Sequence, residues 1–134
     1  MSKFTKFYQG GVDSEGRTIE FILAKSDAWW ESCHDFVQWV FPTNEPSNFY
    51  PNSPVLKQDE IMFLYSPAAW TPSIKLIKRF LDFLGLKIDD NGFRLADNFE
   101  TRKHTWIVFN HNHLRITRFV TFLCLAGFKY SFAV

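Results

Sequence analysis

The sequence predicts an all-α fold, a single-domain irregular helical bundle of about five to six helices with a tiny hairpin near residues 87–95. Three observations carry this. Apolar residues recur at helical spacing through residues 27–41, 71–85 and 112–126. Start and stop signals bracket those stretches, among them Thr71-Pro72, Gly85 and Gly127. The strand signal is confined to Lys87–Leu95, where Asp89-Asp90-Asn91-Gly92 is a turn able to close a short hairpin.

In chain order, Met1–Gly16 reads as an N-terminal arm: Phe4, Phe7 and Tyr8, then a turn through Gly10-Gly11 and Asp13-Ser14-Glu15-Gly16. Thr18–Ala24 is expected to form a helix of one to two turns. Ser26 or Asp27 caps the next helix, which is expected to run to Phe41 and stop at Pro42. Trp29, Cys33, Phe36, Val37 and Val40 give it a core face, with Trp30, His34 and Phe41 on a neighbouring stripe. Thr43–Val55 carries Pro46, Pro51 and Pro54 and no period, so it is a proline-stiffened loop. Leu56–Tyr65 is a short amphipathic helix ended by Ser66-Pro67. A helix from Thr71-Pro72 to Gly85 follows, with Ile74, Ile77, Phe80, Leu81 and Leu84 apolar. Asp97-Asn98-Phe99-Glu100 has capping-box spacing, which starts a helix expected to reach Phe109. Asn112 caps the last helix, expected to bury Leu114, Ile116, Val120, Leu123 and Cys124 and to end at Gly127.

Composition limits the function classes. The 134 residues, 46% of them hydrophobic, suffice for one soluble globular domain burying roughly 65–70% of its unfolded surface. Aromatic content is 19%, with 16 Phe and 5 Trp. That number of rings fits a Phe-rich core, a ring-lined pocket or a surface for a homo-oligomer. A net charge of +1 argues against duplex nucleic acid as partner. The longest apolar run, Phe119–Phe128, is too short to cross a bilayer, so no membrane partner is expected. Cys33 and Cys124 sit in apolar helical stretches and read as buried thiols of a reducing, cytoplasmic compartment.

Two motifs are more specific than any pattern argument. H-D-F-V-Q-W-V-F-P spans His34–Pro42, followed by Asn44-Glu45-Pro46-Ser47, and H-N-H-L-R-I-T-R spans His111–Arg118. With Phe7-Tyr8, Gly16-Arg17-Thr18 and F-L-D-F-L-G-L over Phe80–Leu86, they resemble the opioid growth factor receptor conserved region. The resemblance covers Phe7 to Phe128 and is nearest to short stand-alone bacterial and phage members. It implies an all-helical fold. For the animal receptor it implies enkephalin binding and a nuclear role, which fold homology does not transfer. One departure is Lys57, where the family has a capping Thr; Glu60 three positions on remains.

The chemistry gathers at the second motif. Arg115 and Arg118 lie three apart on one helix face near its N-terminus, an end that already carries about half a positive charge. Together with His111 and Asn112 they make an anion cradle, or else an internal ion-pair network with Asp35 or Glu45. Gln38 and Trp39 can read and stack a planar ring, and His34 can hydrogen-bond a ligand or serve structure. His111 and His113 are too few for a metal site, and no nucleophile, phosphate loop or dinucleotide motif occurs, so no cofactor and no catalytic residue is expected. The reading is a non-enzymatic module binding a small anion, a nucleotide for example, through Arg115, Arg118, His111, Asn112, Trp39, Gln38, His34 and Glu45. The alternatives are a protein-interaction domain and, lower, a phosphoester-processing enzyme using His34 or His111.

Overall fold

Ser66-Pro67 both ends one helix and starts the next, because a proline at the first helical position has no N–H to satisfy. The computed structural model describes residues 1–47, 49–90, 92–107 and 111–128, without the side chains of residues 107 and 111. In chain order the helices are α1 (Lys3–Tyr8), α2 (Ile19–Leu23), α3 (Asp27–Ser32), α4 (Val37–Val40), α5 (Gln58–Leu64) and α6 (Pro67–Leu84). The hairpin β1 (Leu86–Asp89) and β2 (Gly92–Leu95) follows, then α7 (Phe99–Arg102), α8 (His104–Ile107) and α9 (His111–Leu125).

The fold departs from the expected bundle in the number of its helices. The described residues form nine helical elements, not five to six, and add a two-stranded antiparallel sheet to an otherwise helical fold. The hairpin falls where the turn signal placed it, with Leu86 opposite Leu95 and Asp89 opposite Gly92. The extra helices arise from breaks. The helix expected over 26–41 splits into α3 and α4, since Cys33 turns to an extended backbone (φ −88°, ψ 124°). The helix expected over 97–109 splits into α7 and α8, and Asn98, not Asp97, takes the N-cap position without a side-chain cap bond. Its expected end at Phe109 lies outside the described residues.

The expected arm also contains structure. Ser2 caps α1 through Oγ, and Phe4, Phe7 and Tyr8 are buried, with Tyr8 donating to the Val40 carbonyl at 2.6 Å. Helix α6 starts at Pro67 rather than Thr71, which leaves Pro72 inside it. Proline there removes one bond in the helical ladder. Burial of Ala69, Ser73, Leu76, Ile77 and Phe80 along the same helix offsets that loss. At α5 the Glu60 carboxylate accepts from the Lys57 N–H at 3.0 Å, so half of a capping box survives without a capping hydroxyl.

The core is mainly rings. Trp30, Phe36, Phe41, Phe80, Phe83, Phe119 and Phe122 pack in edge-on, tilted and stacked pairs across α3, α4, α6 and α9, with centroids 4.7–6.4 Å apart. Short helices multiply unpaired C-terminal carbonyls, since each end leaves four without a helical partner. Arginines take up carbonyls at or just beyond these ends. Arg79 donates to the Lys25 carbonyl (3.0 Å) beyond α2, and Arg102 to the Phe83 carbonyl (2.8 Å) near the end of α6. Arg79 also pairs with Asp27 at 2.8 Å and lies over the Trp30 ring. Positive charge at the negative end of a helix is electrostatically favourable, so these contacts add to their hydrogen bonds.

Candidate functional site

Helix α9 brings the second motif into the core, with a different face inward from the one its apolar spacing suggests. Asn112, Arg115, Phe119, Phe122, Leu123 and Ala126 are buried. Leu114 is 65% exposed and Cys124 is exposed, against the expected burial of both. Two large rings, Phe119 and Phe122, determine the rotation, and Asn112 and Arg115 follow them inward because α3 offers polar partners there.

Arg115, only 6% exposed, donates to the carbonyls of Trp30 and Cys33 and lies over the Phe36 ring. It closes the C-terminal end of α3, where the chain breaks toward α4. Burial lowers its pKa, with the Glu31 charge opposing. Asn112 is fully buried and its amide donates to the Glu31 carboxylate at 2.9 Å. Neither Asp35 nor Glu45 neutralises Arg115. Asp35 pairs instead with Arg17 at 2.9 Å, and Arg17 holds buried Asp13 at 2.7 Å. Burial pushes Asp35 upward, but the hydrogen bonds from Cys33 and Arg17 and the Arg17 charge outweigh it, so its pKa is lowered.

Arg118 is different. Its guanidinium is half-buried and makes one long bond, 3.4 Å, to the Phe41 carbonyl. No described carboxylate pairs with it. Burial lowers its pKa with no acidic neighbour opposing. A guanidinium has five donors, and this one uses one of them.

Arg118 lies on the wall shared by two adjoining hollows. The larger, about 430 Å³, runs between Leu114, Thr117, Arg118 and Thr121 on α9 and the 43–49 loop, with Gln38 from α4. The smaller, about 280 Å³, adds His34, Val37, Tyr50 and Arg115. Phe49 lines both and is 79% exposed. Gln38 also lines both; its amide nitrogen donates to the His34 carbonyl at 3.3 Å, and its Oε1 is shut off from water without a hydrogen-bond partner. The loop is shaped by Thr43, whose hydroxyl accepts from the Glu45 N–H, while the Thr43 carbonyl accepts from the Leu56 N–H at 2.8 Å.

The structure therefore divides the expected site. Arg118, Gln38, His34 and Glu45 line the cleft, and Arg115 reaches its smaller part. Asn112 and Trp39 do not line it. Trp39 is 4% exposed and packs edge-on against Phe7 at 5.4 Å, and Trp30 is buried with its indole N–H on the Ile22 carbonyl. The His111 side chain lies outside the described residues. Phe49, Leu114, Thr117 and Thr121 line the cleft without having been expected there. The last three had a signal, since positions 114, 117, 118 and 121 form one helical stripe. Phe49 lies in an aperiodic loop and had none.

Among the described residues no helix is long and apolar enough to cross a membrane. No solved structure matches the chain. The sequence is 29% identical over 103 residues to the opioid growth factor receptor of Rattus norvegicus, covering 75% of this chain and 18% of that protein. It is 32% identical over 133 residues to opioid growth factor receptor-like protein 1 of Xenopus tropicalis, covering 92% of this chain and 26% of that protein. The chain thus spans about a quarter or less of these relatives' length. Residues 3–133 match the family model described as the opioid growth factor receptor (OGFr) conserved region, and this chain belongs to that family.

Proposed function

We propose that the domain is a non-catalytic binding module for a small anion of nucleotide type, held in the cleft between α4, the 43–50 loop and α9. The observation that carries this is Arg118, a half-buried cation facing a cleft without a carboxylate partner among the described residues. Desolvating a guanidinium without pairing it is costly, and an anionic ligand would recover that cost. Thr117 and Thr121 beside it spend their hydroxyl hydrogens on the His113 and Thr117 carbonyls, which leaves Arg118 as the donor for an anion, and Phe49 offers an exposed ring for stacking. The relatives' name, receptor, also supports a binding role.

A thermal-shift screen of the full chain against mononucleotides, dinucleotides and inorganic phosphate tests the proposal. Stabilisation that rises with ligand concentration is expected, and its loss in Arg118→Gln locates the site. A flat response across the panel would reject the reading.

A second reading, self-association through aromatic surface, rests on one observation. Trp70, exposed and stacked on Phe128 at 5.7 Å, borders an apolar hollow of about 220 Å³ lined by Ile74, Ile77, Ile88 and Phe93. A concentration-dependent dimer in sedimentation, dissociated by Trp70→Ser, would favour it.

A further inference from the structure

Among the described residues the cleft is lined by a second charged group without an ion pair. Glu45 lines the same 430 Å³ space as Arg118, yet the two make no ion pair with each other. Glu45 bonds through its backbone N–H and carbonyl to the Thr43 hydroxyl, and among the described residues its side chain has no ion pair. Opposite charges sharing a cavity without meeting are poorly matched to inorganic phosphate, which needs only the cation. They fit a longer ligand with an anionic end and, away from it, a face of hydrogen-bond donors.

We infer that the cleft selects a guanine-bearing nucleotide, with its phosphate at Arg118, its base stacked on Phe49 and its donor edge at Glu45. This rests on the cleft being a nucleotide site at all. The base assignment follows from carboxylate chemistry. An ionised carboxylate only accepts, and it accepts best through both oxygens from two parallel donors. Guanine presents such a pair, N1–H and the N2 amine. Adenine and cytosine each place a ring-nitrogen lone pair beside their amine, which a carboxylate repels. Uracil places its single N–H between two carbonyls.

Calorimetry on the full chain with GMP, IMP, AMP and guanosine tests the inference. GMP is expected to bind at least about tenfold more tightly than AMP, the worth of one charge-assisted hydrogen bond or more. IMP, which lacks the N2 amine, should fall between them, and guanosine should lose most of the affinity. Glu45→Gln should abolish the preference of GMP over AMP, weakening GMP and strengthening AMP, because a carboxamide can donate to the adenine ring nitrogen and accept from its amine. Glu45 is exposed, so this variant is expected to fold, and its circular dichroism is compared with the parent. Arg118→Gln should weaken all nucleotides alike. Equal binding of GMP and AMP, both lost in Arg118→Gln, overturns the guanine assignment and leaves the nucleotide site standing. No binding by any of the four overturns both.

Discussion

At the residue scale, two arginines three positions apart on α9 have opposite jobs because their partners differ. Arg115 meets two backbone carbonyls at the break after α3, and Arg118 meets one at longer range and then open space. Removing Arg115 strands two carbonyls in a buried setting, each unmade bond being worth about 1–3 kcal/mol. Arg115→Ala is therefore expected to lower unfolding free energy by about 2–4 kcal/mol in urea titrations, whereas Arg118→Ala should lower it by under about 1 kcal/mol. Arg115→Lys should recover less than half, since an ammonium cannot fork across two acceptors. Equal losses in the two alanine variants would contradict the division. The motif showed that this stretch of sequence is unusual, and spacing put both arginines on one face. It could not show which would be buried, because the deciding carbonyls belong to residues more than 75 positions away.

At the element scale, the breaks matter more than the helices. Apolar spacing through Trp29, Phe36, Val37 and Val40 is equally consistent with one long helix or two short ones, and periodicity alone cannot choose. The break after α3 is stabilised from outside: Arg115 takes its carbonyls, while Arg17 and Cys33 engage Asp35. Long-range partners of this kind are invisible to local reading, so the helix count was low although helical content was legible. The stop after α6 is local and was legible. Gly85 sits at φ +81°, and a Cβ there would come within 2.8 Å of the Phe99 Cα. Both backbone strain and that contact oppose Gly85→Ala, which should cost more than about 2 kcal/mol in thermal or chemical unfolding. A change under about 0.5 kcal/mol would show that the α6–α7 junction yields easily.

At the scale of the whole molecule, arginines at helix ends and a ring-filled core hold many short helices in one arrangement, and that arrangement opens a cleft beside Arg118. Family membership was legible from the His34–Pro42 and His111–Arg118 motifs, and both motifs contribute to the cleft through Gln38 and Arg118. The cleft's other wall was only partly legible. Glu45 was marked by its charge next to a motif, but Phe49 depends on how the proline-stiffened loop folds back on α9. The central claim is that Arg118 faces a site for a small anionic ligand. The most direct measurement is a ¹H–¹⁵N correlation titration of the labelled full chain with GMP. Saturable shifts are expected, concentrated at Gln38, Thr43–Ser47, Phe49 and Leu114–Thr121 and lost in Arg118→Gln. Shifts centred instead on Trp70, Ile74 and Phe93, or a spectrum that GMP leaves unchanged, would contradict it.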